Sequence, residues 1–115
     1  MSCLDKQHRV KSTKEFNRIY KSNIKWHTHS FVAFFKSSQQ TKLGFVASKK
    51  VGNAVNRNRA KRLLRSIILK NESTLPSGEY VFVAKEDILK CTYAVLSKDF
   101  TYAMKKMGLN KALVE

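Results

Sequence analysis

The segment Ser30–Lys36 alternates on a two-residue period, with Phe31, Ala33 and Phe35 facing one way and Val32 and Phe34 the other. That pattern predicts a strand. Lys42–Ser48 repeats it, with Leu43, Phe45 and Ala47 opposite Gly44, Val46 and Ser48, and the intervening "SSQQT" turns the chain. Ile24–Thr28 alternates more weakly and predicts a short strand. Glu79–Lys85, rich in β-branched and aromatic residues, predicts another. Three further segments carry the helical period. Ser12 and Glu15 form S-x-x-E, a capping box, so a short helix follows to about Lys21 with Phe16, Ile19 and Tyr20 on one face. A loop through Gly52 and Asn53 leads into a long helix over Ala54–Lys70. The last helix, Thr92–Met107, has an apolar stripe of Tyr93, Leu96, Phe100, Ala103, Met104 and Met107, and Gly108 is placed to stop it. Pro76 sits in "NESTLPSGE", the clearest loop. The order α-β-β-β-α-β-α predicts an α+β protein, a small two-layer sandwich of helices on one sheet. With 115 residues, 43% of them hydrophobic, residues 1–115 suit a single domain with one core.

Charge changes the picture most in the long helix. The stretch "KKVGNAVNRNRAKRLLR", Lys49–Arg65, carries seven positive charges and no negative one. At about 100° per residue, with Ala60 at zero, Leu64, Ile67, Leu63 and Ile68 fall within roughly 80° of it and form a packed face. Lys61, Arg65, Asn58 and Arg62 fall between roughly 100° and 200°, an outward ridge with Arg59 on its far flank. A solvated helix face mixes Glu with Lys for i,i+4 support, and this one has no acid. Arginine dominates from Arg57 to Arg65, and its planar fork matches phosphate and stacks on bases. Gly52 and Asn53 allow tight or left-handed backbone ahead of the helix, where free N–H groups also bind phosphate. Across the chain, Phe16–Asn71 holds 13 Lys and Arg and no acid, whereas six acids and six bases cancel from Glu72 to Glu115. The net charge of +15 is thus concentrated in the first two thirds, which points to a polyanion-binding face.

Nucleic acid and an anionic membrane surface are the candidate polyanions. The longest apolar runs, Phe31–Phe35 and Tyr80–Ala84, are too short to span a bilayer, and the N-terminus "MSCLDKQHRV" lacks the apolar region of a signal peptide. Cys3 and Cys91 are isolated, without metal-ligand spacing, and fit reduced thiols of the cytoplasm. His8, His27 and His29 have no carboxylate or cysteine partner at a telling spacing. His27 and His29 would share a strand face, a weak hint of a metal pair. There is no P-loop, GxGxxG or Cys/His cluster, so the sequence offers no catalytic residues. Phe16, Tyr20 and Phe34 come onto one surface if the first helix packs across the sheet. Rings beside cations are what single-stranded RNA needs, and the competing reading makes them ordinary core.

The basic stretch resembles the signature of the protein subunit of bacterial ribonuclease P, Lys-[Lys/Arg]-x-Gly-x-Ala-Val-x-Arg-Asn-x-x-Lys-Arg. The matching positions are Lys49, Lys50, Gly52, Ala54, Val55, Arg57, Asn58, Lys61 and Arg62, with Arg59 and Arg65 also typical. Upstream, "HRVKSTKEFNRIY" is similar to that family's N-terminal segment, with Arg9, Phe16 and Tyr20 in place. Departures are mild (Val10 for Leu, Tyr20 for Phe, Phe34 for Tyr) and remove no ring. The resemblance covers essentially the whole chain. It implies the ribonuclease P protein fold, related to a ribosomal-protein domain, with a left-handed strand–helix–strand crossover against the usual rule. It further implies a cytoplasmic ribonucleoprotein, a tRNA-processing endonuclease that hydrolyses precursor tRNA at the mature 5′ end. The catalytic centre and its Mg²⁺ would lie in the RNA subunit, with no catalytic or metal-binding residue in the protein. Lys49, Lys50, Asn53, Asn56, Arg57, Asn58, Arg59, Lys61, Arg62 and Arg65 would bind RNA, and Arg9, Phe16, Tyr20 and Phe34 would hold the 5′ leader. The partners would be the catalytic RNA and precursor tRNA, with no membrane and no DNA.

Three rivals stand beside this reading. A ribosomal protein would share size and charge, but many carry extended basic tails. A helix-turn-helix DNA-binding protein wants two adjacent short helices, whereas strands precede the basic helix here. A protein-only nuclease needs the acid or histidine cluster that is missing.

Overall fold

Ser12 opens the first helix as its spacing predicts. Its hydroxyl accepts from the Glu15 N–H at 3.1 Å, and its own N–H donates to Glu15 Oε1 at 3.3 Å. The computed structural model describes residues 9–10, 12–22, 24–71 and 75–109; Cys3 and His8 lie outside them. Helix α1 is Thr13–Tyr20, followed by strands β1 (Ile24–His27), β2 (Phe31–Ser37) and β3 (Lys42–Ala47). Helix α2 (Ala54–Asn71), strand β4 (Gly78–Ala84) and helix α3 (Tyr93–Lys106) complete the order. The four strands form one sheet in the order β1-β2-β4-β3. β4 runs antiparallel to β2 and parallel to β3, with Leu43 opposite Tyr80. The parallel pair requires the crossover that α2 supplies.

Alternation along the strands divides the apolar residues between two faces. Phe31, Ala33, Phe35, Leu43, Tyr80, Phe82 and Ala84 meet Ala60, Leu64, Ile67 and Ile68 of α2 and Leu96, Phe100, Ala103 and Met104 of α3, all buried. Phe82 lies at the centre, with the rings of Phe31, Phe45, Tyr80 and Phe100 between 5.9 and 6.4 Å away. The sandwich proper is this sheet with α2 and α3. The short α1 lies on the opposite face, around a small buried apolar cluster of Val10, Ile19 and Val81.

Helix α3 starts at Thr92, whose hydroxyl accepts from the Val95 N–H at 3.2 Å. It ends in a paired-carbonyl stop. Gly108, at φ +75°, donates to Lys105 O at 3.1 Å, and Leu109 donates to Met104 O at 2.8 Å. Tyr93 departs from the stripe expected of it. At the first turn it is 43% exposed, and its ring packs under Lys70. His29 also departs from expectation. β1 ends at His27, so His29 falls in the turn beyond and the two do not share a strand. That turn is tied to α3, because the Ser30 N–H and hydroxyl both donate to Asp99 Oδ2, at 3.2 and 2.7 Å.

Candidate nucleic-acid interface

Between β3 and α2 the chain makes a 3₁₀ turn, Lys49–Val51, which the alternation pattern does not reveal. Ser48 caps it, and Val51 is buried as its anchor, so Lys49 and Lys50 stay exposed. Gly52 follows at φ +137°, in the region that favours glycine, and a Cβ there would sit 2.8 Å from Asn56 Nδ2. Asn53 does not share that conformation, since no described non-glycine residue has positive φ. Asn53 instead caps α2. Its Oδ1 accepts from the Asn56 N–H at 3.0 Å, so that N–H is not free for a phosphate.

The ridge of α2 follows the helical arithmetic. Asn58, Arg59 and Arg62 are exposed, and Lys61 and Arg65 are half-exposed. Among the described residues no cation of α2 has an anionic partner; the two ion pairs lie elsewhere. Arg65 lies over the Phe45 ring, 5.5 Å from its centroid, which holds the guanidinium against the edge of the sheet. Arg57 sits differently from the ridge. At about 60° from Ala60 it borders the packed face, and its Nε is sealed from solvent without a hydrogen-bond partner among the described residues.

On the other face, α1 and the sheet bring the three rings together. Phe16 and Tyr20 have centroids 6.2 Å apart, and Tyr20 meets Phe34 edge-on at 4.9 Å. All three are half-buried around Val10, Ile19 and Val81, so each ring keeps an open side. Burial pushes the Tyr20 hydroxyl pKa up. Gly44 makes the close approach possible, because a Cβ there would lie 2.8 Å from Phe16 Cε1. Two ion pairs pin the helix to the sheet: Lys42 with Glu15 at 2.6 Å, and Arg18 with the buried Glu79 at 2.8 Å. Arg9 runs beside β3, and the Val10 N–H donates to Leu43 O at 3.0 Å. Trough and ridge meet at this edge, where Arg9, Phe16, Gly44, Phe45 and Arg65 border a hollow of about 120 Å³.

Residues 4–108 match the family model described as Ribonuclease P. The chain belongs to the ribonuclease P protein family. It is 39% identical to the ribonuclease P protein component of Nitratiruptor sp. over 102 residues, covering 89% of this chain and 94% of that one. It is 32% identical to that of Streptococcus agalactiae over 108 residues, covering 92% and 99%. The structure of a Staphylococcus aureus RNase P protein mutant with defective mRNA degradation activity superposes with a TM-score of 0.81. There the identity is 26%, over 90% of this chain and 91% of that one. The Thermotoga maritima RNase P protein, at 24% identity, shares the fold with a TM-score of 0.74, over 85% and 96%. The chain is thus a protein subunit of the ribonuclease P endoribonuclease, a ribonucleoprotein of tRNA processing, and its partner is the RNA of that enzyme.

The resemblance to ribonuclease P implies Mg²⁺ for the enzyme, and the described residues of the protein do not fit it. Among the described residues no three His, Cys, Asp or Glu gather where they could hold an ion. Two carboxylates, Glu15 and Glu79, are already paired with Lys42 and Arg18. Nor is any described helix long and apolar enough to cross a membrane. Gly44, Lys42 and Glu79 shape the trough and were not singled out by sequence. The signal available was the glycine itself, set in an alternating strand between Lys42 and Val46 on the same face.

Proposed function

We propose that the protein binds the catalytic RNA along the α2 ridge and Lys49–Lys50, and holds the 5′ leader of precursor tRNA across the Phe16–Tyr20–Phe34 trough. It thereby promotes endonucleolytic removal of the leader in the cytoplasm, while the reacting centre and its Mg²⁺ belong to the RNA. The observation that carries this reading is the half-open state of the three rings beside an acid-free arginine ridge. Sealed rings would be core, and rings without cations would be a protein contact. Bases stack on the open sides while Arg9 and the sheet-edge cations neutralise phosphates. A leader is present on the substrate and absent from the product, so the trough favours precursor over mature tRNA.

Base–aromatic stacking contributes about 1–3 kcal/mol per base, or roughly five- to 150-fold in affinity. Phe16→Ala and Tyr20→Ala, each verified to fold and to bind the catalytic RNA, should weaken precursor binding within that range and leave mature tRNA unaffected. The loss should vanish as the leader is trimmed to one or two nucleotides. Equal losses for precursor and mature tRNA would discard the leader role and leave the α2 ridge standing.

A further inference from the structure

A second arrangement of rings and cations lies on the outer surface of α3, in the helical layer on the far side of the sheet from the trough. Lys70, in the last turn of α2, holds its ammonium 5.3 Å from the centroid of the Tyr93 ring. Toward the other end of α3, Lys106 sits 5.4 Å from the Tyr102 centroid and 5.8 Å from that of Trp26, and the two rings meet edge-on at 6.1 Å. A shallow groove of about 680 Å³ runs between the two stations, with Lys98 and Lys105 in its wall. No carboxylate lines it among the described residues, and the acid within α3, Asp99, is turned to Ser30. Tyr93 and Tyr102 are 43% and 49% exposed, whereas Tyr80 is fully buried, so these two rings are not core.

We infer that this groove binds an unpaired segment of the enzyme's RNA subunit, apart from the leader trough. The inference rests on the family's RNA as partner, and it does not depend on what the trough holds. Nine residues of helix set Tyr93 and Tyr102 about 13.5 Å apart along the axis and, at about 100° per residue, on opposite rims of the groove, so an unpaired strand crosses it obliquely from one ring to the other. Each station offers a ring for a base and an ammonium within reach of its phosphate, and the lysines between them follow the backbone. Lysine charge of one sign fits a polyanion, because a merely solvated helix face would mix signs. Arg59 and Lys70 share one flank of α2 at about 260° and 280° from Ala60. A backbone following that flank from the arginine ridge reaches Lys70 at the edge of the groove.

The test uses the full chain reconstituted with its RNA subunit. Two variants, Tyr93→Ala/Tyr102→Ala and Lys98→Gln/Lys105→Gln, are checked for folding by circular dichroism and thermal melting. The tyrosine pair should lose affinity for the RNA subunit by about ten-fold or more, the order expected for lost base stacks. The lysine pair should lower the slope of log affinity against log salt by about 1.4–1.8, two contacts at roughly 0.7–0.9 each. The preference for precursor over mature tRNA should stay unchanged in both. Unchanged affinity and slope in folded variants would overturn the inference. So would a loss confined to leader-bearing substrate, or a dimer in sedimentation that the variants dissociate, which would make the face a contact between copies of the chain.

Discussion

The two faces of the sheet are built from the same alternating strands and end in different states. Beneath α2 and α3, Phe31, Ala33, Tyr80 and Phe82 are all but inaccessible. Beneath α1, Phe34, Val46 and Val83 remain partly open, as does Val32 on the same side of β2. Alternation assigns each residue to a face, but the helix lying over that face decides whether it closes. α2 has 18 residues and α3 has 14, whereas α1 has 8, a length of only about 12 Å. A strip of sheet is left uncovered, and its residues are apolar all the same. One face is sealed; the other keeps apolar surface open to solvent.

The largest effect should come from breaking the sealed face. Phe82→Ala removes the ring that four others surround and should destabilise the fold by about 3–5 kcal/mol, read as a shift in the urea midpoint. Phe34→Ala, on the open face, should cost less than half as much; comparable losses would erase the distinction between the faces. A smaller effect is expected at Gly44, where a methyl group 2.8 Å from Phe16 Cε1 must displace the ring. Gly44→Ala should cost about 1–3 kcal/mol and reduce the precursor preference along with Phe16→Ala. A stable variant with full preference would show that the ring's position against β3 is immaterial. The smallest effect concerns the pin between α1 and the sheet. Arg18 is 48% exposed on its side chain and Glu79 only 7%, so solvent screens one end of the pair. Arg18→Ala should lower stability by about 1 kcal/mol. A loss beyond about 3 kcal/mol would mean that the Glu79 carboxylate has no other support.

Local rules were legible where a few neighbouring residues decide the outcome. The Ser12–Glu15 capping box, the two-residue period of β2 and the stop at Gly108 all follow from contacts within five residues, and the structure contains each. The packed arc of α2 was legible for the same reason; Arg57, grouped by sequence with the RNA-binding arginines, lies at the margin of that arc. Asn53 was read as a backbone device because asparagine tolerates left-handed φ; the side chain competes for the Asn56 N–H, and the cap wins. The 3₁₀ turns over Lys49–Val51 and Glu86–Lys90 were hidden. A three- or five-residue turn has no period to detect, although it buries Val51 in one case and Ile88 in the other. Tyr93 followed the stripe by angle, but angle does not say how far along a helix the core extends. Gly44 and Glu79 depend on what α1 brings from more than twenty residues away, and a local pattern carries no trace of that.

β4 lies between β2 and β3 and is hydrogen-bonded to both. It is also the last strand to leave the ribosome. Until residue 78 is available, β2 and β3 have no shared partner, and neither buried face can form around Tyr80, Val81 and Phe82. The helix that carries more cations than any other element is synthesised before the strand that fixes it in place. Closing the parallel pair Leu43–Tyr80 spans an intervening helix, a slow, non-local step. During that interval the nascent chain is a basic, unfinished polymer in a cell full of RNA. The placement of one strand thus leaves the protein's most basic segment exposed before the fold that would position it is complete.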